Sequence, residues 1–399
     1  MKTLTTRTGI TVRFTFLVIY LAALSAFGSF VNDMYVPSLP SMTGYFHCSV
    51  PTVQLGLTFG MIGLGLGQIL LGPFSDKYGR KPILVASVLV FIAGAVASLF
   101  SPTIHFFLGC RLVQGIGASG GYFLARSIPT DFFQGRQLAK TMAIVGAING
   151  FAPASAPVIG GFVSQHFDWK GVFVVLTAFA VILLAFSPML KESLPAARRE
   201  QGSVWKAFKA YGPLLCDRPF MTHVLLKGAA LGLLFAYISS APFIMQTHYG
   251  FRQDVFGCIM GANSIMVATG SMLALRFKPL KRAAFTGGVC VAASVALESV
   301  ALLCFDSFWL YELLLLPILF SLGMIFTAGN TLAMNEGRGD AGDASAILGV
   351  AGYAFGAVVA PLVGRGDIMH STAWVFIGLA VIIVVFSLLT RLVPADLEK

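Results

Sequence analysis

Runs of about twenty predominantly apolar residues recur twelve times along this chain, and that repetition restricts its fold more than any other feature. A helix needs about 20 such residues to cross the hydrocarbon of a bilayer, and within lipid only helices and closed barrels satisfy every backbone polar group. The runs are 14–36, 52–71, 83–100, 104–125, 138–163, 169–190, 219–245, 255–275, 284–304, 309–333, 342–364 and 372–392. They predict an all-α polytopic membrane protein. Composition agrees: 11% of the 399 residues are charged and 57% are hydrophobic, whereas a soluble domain carries about 25% charged residues. The basic start, Met1 to Arg13, followed by an apolar run suggests a signal peptide. The run is too long for that and no A-x-A-like site follows it, so it reads as an uncleaved first span.

Charge placement sets the expected orientation. With the N-terminus in the cytoplasm, 22 of the 27 Lys and Arg residues fall on the cytoplasmic side. Lys170, Arg252 and Arg365 fall outside, and Arg111 and Lys227 lie within spans. Such a bias predicts twelve spans with both termini inside. It also explains the pI near 9.4 without a nucleic-acid partner, because the basic residues are spread over many short loops. A charged linker, 191–218, separates an N-terminal six-helix bundle (1–190) from a C-terminal one (219–399). The loop after the second span is basic in each half, Lys77 to Lys81 and Arg276 to Arg282, which points to an internal duplication. The first copy is the richer. In Gly72 to Lys81, Gly72 and Gly79 permit close approach, while Asp76, Arg80 and Lys81 offer opposite charges for a conformational latch. The second copy has no acidic residue, so latch control is expected in the first.

Soluble-enzyme patterns do not survive their context. Gly115 to Gly120 fits a dinucleotide fingerprint and Gly117 to Gly121 a nucleophile elbow, but both need a preceding strand and lie mid-span. Around Lys140-Thr141, Gln134 and Ala139 stand where a phosphate loop needs glycine. The six cysteines form neither a disulfide framework nor a zinc site, and the histidines show no metal spacing. No cofactor is expected.

Charges within spans should face a cavity or a partner, since placing one at mid-membrane costs about 2.5–3.5 kcal/mol on insertion scales. Asp33 lies 20 residues past Arg13, and Arg111 seven or eight residues into a span running the other way, so the two should sit at similar depths near the outer side. Protonation of Asp33 would then be linked to what occupies the cavity. Lys227, about eight residues into span 7, either snorkels or lines the cavity, where it would favour anionic or zwitterionic substrates or pair with Asp33. Glu298 and Glu312 read as snorkelling ends of spans 9 and 10. Asn32, Tyr35, Gln54 and Gln114, with Asn149, Tyr237, Asn263 and Asn330, suit either helix–helix hydrogen bonds or a large amphipathic pocket. Gly150, Pro153, Pro157, Gly160 and Gly161 give span 5 the composition of a hinge.

Five segments together resemble the major facilitator superfamily, and within it the twelve-span drug:proton antiporters of the Bcr/CflA type. These are Asn32 to Pro37 in span 1, Gly72 to Lys81 between spans 2 and 3, Arg111 to Gly117 in span 4, Ala156 to Gly161 in span 5 and Phe235 to Phe243 in span 7. Ala156 stands where glycine is usual, and Ser25 where some relatives carry a second span-1 carboxylate. The resemblance implies two pseudo-symmetric bundles around a midplane cavity in the bacterial inner membrane. It implies proton coupling through Asp33 and Arg111, with the proton the coupling ion and an amphipathic drug the substrate. The charged turn would stabilise the outward-facing state. We expect a monomer among membrane lipids, with uptake symport or a transport-inactive sensor as the competing functions.

Overall fold

The computed structural model describes residues 3–5, 11–200, 211–337 and 341–393. Ten of its helices are long and apolar enough to cross a membrane. Ile104–Phe132 falls short on apolarity because it carries Arg111, Gln114 and several glycines, yet it has the length. Gly135–Phe186 is counted once but turns at Asp168, which takes a left-handed φ of 59° and accepts a 2.7 Å hydrogen bond from Trp169 N, so its carboxylate starts the next helix. With that division, twelve membrane-length helices stand among the described residues, as the apolar runs predict. A two-stranded hairpin, Thr3–Thr5 with Thr11–Arg13, precedes them.

Spans 1 to 4 are Phe14–Asp33, Val50–Tyr78, Arg80–Leu99 and Ile104–Phe132; the divided helix supplies spans 5 and 6. Spans 7 to 12 are Arg218–Pro242, Gln253–Ala274, Leu280–Cys304, Phe308–Glu336, Ala341–Val359 and Ile368–Leu392. Side-chain caps begin several of them. Thr103, Asp217 and Asp367 accept first-turn N–H groups that helix geometry leaves unpaired. Many apolar side chains on the outer faces are exposed, among them Ile19, Phe162 and Trp309, as a lipid-facing surface requires.

The helix bounds move two expectations. The span-1 helix ends at Asp33, but a 3-10 turn, Val36–Ser38, and a short helix, Leu39–Phe46, carry the chain onward. Asp33 therefore lies deeper than a straight helix ending near Pro37 would put it. The segment read as a charged turn is mostly helix, since Val50–Tyr78 runs through Gly72 and Pro73. Gly79 alone breaks it, at φ 103°, where an added Cβ would also lie 2.6 Å from Glu192 Oε2.

Spans 1 to 6 pack on one another, as do spans 7 to 12, and the halves meet where span 2 lies against span 11 and span 5 against span 8. The glycine pattern in span 4 has a packing explanation. A Cβ at Gly115 would strike the backbone of span 2, and one at Gly117 that of span 3.

Candidate functional site

A cavity of about 850 Å³ lies between the two halves. Its deep wall is formed by Asn32, Asp33, Pro157, Tyr237 and Asn263. From there the lining extends to Arg126, Leu275 and Ser345, at the ends of spans 4, 8 and 11 that face the linker between the halves. We call this the linker end and its opposite the far end.

The far end is shut by close backbone contact. A Cβ at Gly161 would overlap the Gln253 carbonyl and one at Gly257 the Pro157 carbonyl, both across the halves, while Gly160 packs against the Met34 carbonyl within the N-terminal half. Gln246 Nε2 reaches across the halves to Pro37 O at 2.9 Å, and Gln253 N to Gln165 Oε1 at 3.2 Å. Towards the linker end span 5 parts from its neighbours: an added Cβ at Gly146 or Gly150 would meet nothing within 4 Å. The proline-glycine stretch of span 5 thus sits where closed and open parts of the interface join. Gly150, Pro153 and Pro157 line the cavity, Gly161 lies in the seal, and Gly160 packs span 5 on the end of span 1.

Asp33 is 9% exposed and opens onto the cavity. Its hydrogen-bond partner is Asn32 Nδ2, 3.2 Å from Oδ1. Arg111 is fully buried behind this wall and is not among the lining residues. Its guanidinium stacks 4.2 Å over the Tyr35 ring, donates to Gln114 Oε1 at 2.7 Å and to Gly56 O at 3.3 Å, and leaves Nη2 without a partner. No hydrogen bond or ion pair joins Arg111 to Asp33 among the described residues, although each lies within electrostatic reach of the other. Tyr35 and Gln114 therefore serve Arg111, and Gln114 further ties span 4 to span 3 by donating to Gly94 O at 3.1 Å. Gln54 bonds Ser239 O at 3.0 Å across the halves. These three were expected in the pocket; the structure gives them helix contacts instead. The Asn149 side chain lies outside the described part.

Across the cavity, Lys227 does not snorkel. It lines the wall, with Nζ 2.9 Å from Asn330 Oδ1, and forms no ion pair with Asp33. Arg126, counted from sequence as a loop cation, also lines the cavity because span 4 continues to Phe132. It donates to Tyr122 Oη at 2.6 Å and stacks 4.4 Å over that ring. Arg126 and Lys227 lie within electrostatic reach of each other. Asp33 is the one acidic residue among the described lining residues, so two cations and one carboxyl share a largely apolar chamber.

The charged segment at the linker end forms a dense network. Arg80 pairs with Asp76 at 2.6 Å and with Asp131, at the end of span 4, at 3.1 Å, and donates to Ser75 Oγ at 2.6 Å. Glu192, after span 6, accepts the N–H groups of Arg80 and Lys81 at 2.9 and 3.2 Å, so its carboxylate caps the positive end of span 3. Lys81 Nζ reaches Pro188 O at 3.1 Å. Gly72 packs on Phe123 of span 4. The partners of Arg80 and Lys81 belong to the N-terminal half or, in Glu192, to the start of the linker beside it, and they are engaged while the cavity reaches the linker end. The network as seen braces one bundle and does not clasp the two together. Asp131 and Glu192 were missed in the sequence because nothing local marks a carboxylate that acts fifty or a hundred residues away.

Glu298 and Glu312 depart most from expectation. Glu298 is completely buried and neither of its oxygens has a partner; Glu312 is half-buried inside the C-terminal half, within electrostatic reach of Asn263. Neither snorkels.

Twelve helices in two bundles, a chamber between them sealed at one end, and buried charges on its walls define a membrane transporter. Residues 21–361 match the family model of the Major Facilitator Superfamily, and the chain belongs to it. It is 34% identical over 357 residues to an uncharacterized MFS-type transporter, YdgK, of Bacillus subtilis, covering 88% of this chain and 89% of that one. It is 28% identical over 260 residues to a chloramphenicol resistance protein of Pseudomonas aeruginosa, covering 64% and 61%. With the multidrug resistance protein MdtL of Vibrio parahaemolyticus it shares 24% identity over 327 residues, or 80% and 81%. The fold superimposes on the Escherichia coli xylose transporter XylE with a TM-score of 0.73 at 13% identity, covering 96% and 98%.

Proposed function

We propose that this chain is a proton-coupled exporter of small amphipathic compounds, of the Bcr/CflA drug:proton antiporter type, working as a monomer in the bacterial inner membrane. Both termini lie in the cytoplasm, the linker end is the cytoplasmic end, and the structure is inward-facing. One observation carries the reading: the acidic group on the chamber wall is a nearly buried carboxyl whose neutral partner, Asn32, supplies no counter-charge. Such a group exchanges a proton for substrate more readily than it holds a permanent ion pair. The names of the relatives at 28% and 24% identity support drugs as the cargo.

The cationic wall narrows the cargo class. Arg126 and Lys227 favour amphiphiles that carry an acidic group, set against apolar lining such as Leu231, Phe235 and Met260. Everted vesicles test direction: adding a substrate such as chloramphenicol to energised vesicles should alkalinise the lumen, and acidification would mark symport instead. Lys227→Met should lower transport of deoxycholate roughly tenfold more than that of neutral chloramphenicol, since a hydrogen bond to a charged group contributes about 1.5–3 kcal/mol. An equal fall for both would assign Lys227 to packing.

A further inference from the structure

Glu298 of span 9 and Glu312 of span 10 face one another's field inside the C-terminal half, away from Asp33. Spans 9 and 10 pack along their length, which brings the two carboxyls together from positions fourteen residues apart. Both Glu298 oxygens and Glu312 Oε2 lack a partner. Tyr311, 1% exposed, has an unpartnered Oη within electrostatic reach of both. No Lys or Arg pairs with either carboxyl among the described residues.

The cluster is continuous with the chamber. Glu312 lies within electrostatic reach of Asn263, whose Nδ2 donates to Tyr237 Oη at 3.0 Å; Asn263 and Tyr237 both line the cavity wall. On its other side Tyr249 lies within reach of both Glu298 and Asp306, which holds His248 at 2.8 Å. Span 12, which also packs on span 9, carries its titratable residues, His370 and Arg391, near its two ends. On span 8, Asp254 is paired with Arg252 at 2.8 Å. Glu312 is thus the charged group that faces Glu298, with Tyr237, Tyr249 and Tyr311 around it.

A completely buried carboxyl with neither a hydrogen-bond partner nor a basic residue needs a proton to neutralise it, and a second carboxyl within its field can share that proton. We propose that Glu298 and Glu312 form a second proton-binding site, placed between the far-end surface and the cavity and joined to the cavity through Asn263 and Tyr237. It is separate from Asp33 and rests on no particular substrate or direction of transport.

Infrared difference spectroscopy of the full chain in lipid nanodiscs, stepped in pH, reads carboxyl protonation directly and needs no substrate. In an Asp33→Asn background the carboxylic-acid carbonyl band should still respond to pH. Glu298→Gln should remove one component of that response, and Glu312→Gln should displace the component that remains. An unchanged response in both variants overturns the proposal. So does a band that moves when sodium replaces potassium at fixed pH, which would make the site a sodium site. Should Glu298→Gln fail to fold, Glu312→Gln alone decides: without a displaced component the carboxyls do not share a proton. A failure of the vesicle assay leaves this result untouched, so the two readings fall separately.

Discussion

Asp33→Asn should abolish substrate-dependent proton movement in everted vesicles while leaving downhill substrate exchange intact. The amide has the shape of the carboxyl and keeps a polar neighbour beside Asn32, whose Nδ2 lies 3.2 Å from the present Oδ1. What it lacks is the ability to alternate between charged and neutral forms. In the wild-type chain the charged form is held in a pocket that is 9% exposed and has no basic contact, where a charge costs about 2.5–3.5 kcal/mol on insertion scales. That cost, relieved by a proton, is what couples the occupant of the chamber to the pH gradient. The wild-type rate should therefore follow the imposed gradient, and the variant rate should be flat across it. Full-rate, gradient-driven transport by Asp33→Asn would remove Asp33 from the coupling mechanism and return it to a packing role.

The contrast between Asp33 and Glu298 shows where sequence reading succeeds. Span number and the placement of Asp33, Arg111 and Lys227 within spans follow from apolar run lengths and charge spacing, because lipid imposes those rules on every segment alike. Partners do not follow from them. Arg111 was legible as a buried cation, but its stack on Tyr35 and its bond to Gln114 depend on how spans 1, 2 and 4 cross. Arg126 and Glu298 were misplaced for different reasons. An apolar run measures hydrocarbon, whereas the span-4 helix extends beyond its run to Phe132. Glu298 lies inside its run, and the packing of neighbouring spans, which no run records, buries it. A residue near the end of a run can then be well inside a bundle. The amides illustrate the same limit: Gln54, Gln114 and Asn263 look alike in sequence, and only the third reaches the chamber.

The largest conformational effect should come from Gly161→Val, which attacks the seal while touching no charged group. The glycine sits where a Cβ would overlap the Gln253 carbonyl of the opposite half, a backbone atom that no rotamer change can move aside. Overpacking of this kind costs about 1–3 kcal/mol in a close-packed interior. The penalty falls on the sealed state alone, because span 5 and the start of span 8 belong to different halves and touch at Gly161 only when the far end is closed. A bias of that size shifts a two-state equilibrium roughly 5- to 150-fold towards the far-end-open form. Spin labels at His166 and Val255, both exposed on either side of the seal, read the opening without touching it. Their distance distribution should lengthen in Gly161→Val, and Gly257→Val, which would meet the Pro157 carbonyl from the opposite helix, should give the same displacement. Net transport should fall with it, since a carrier that cannot reseal its far end cannot complete a cycle. If both variants fold and keep the wild-type distance, the close glycine contacts are ordinary packing and the gate lies elsewhere. If only one of them opens, the seal is asymmetric and span 5 or span 8 alone controls it.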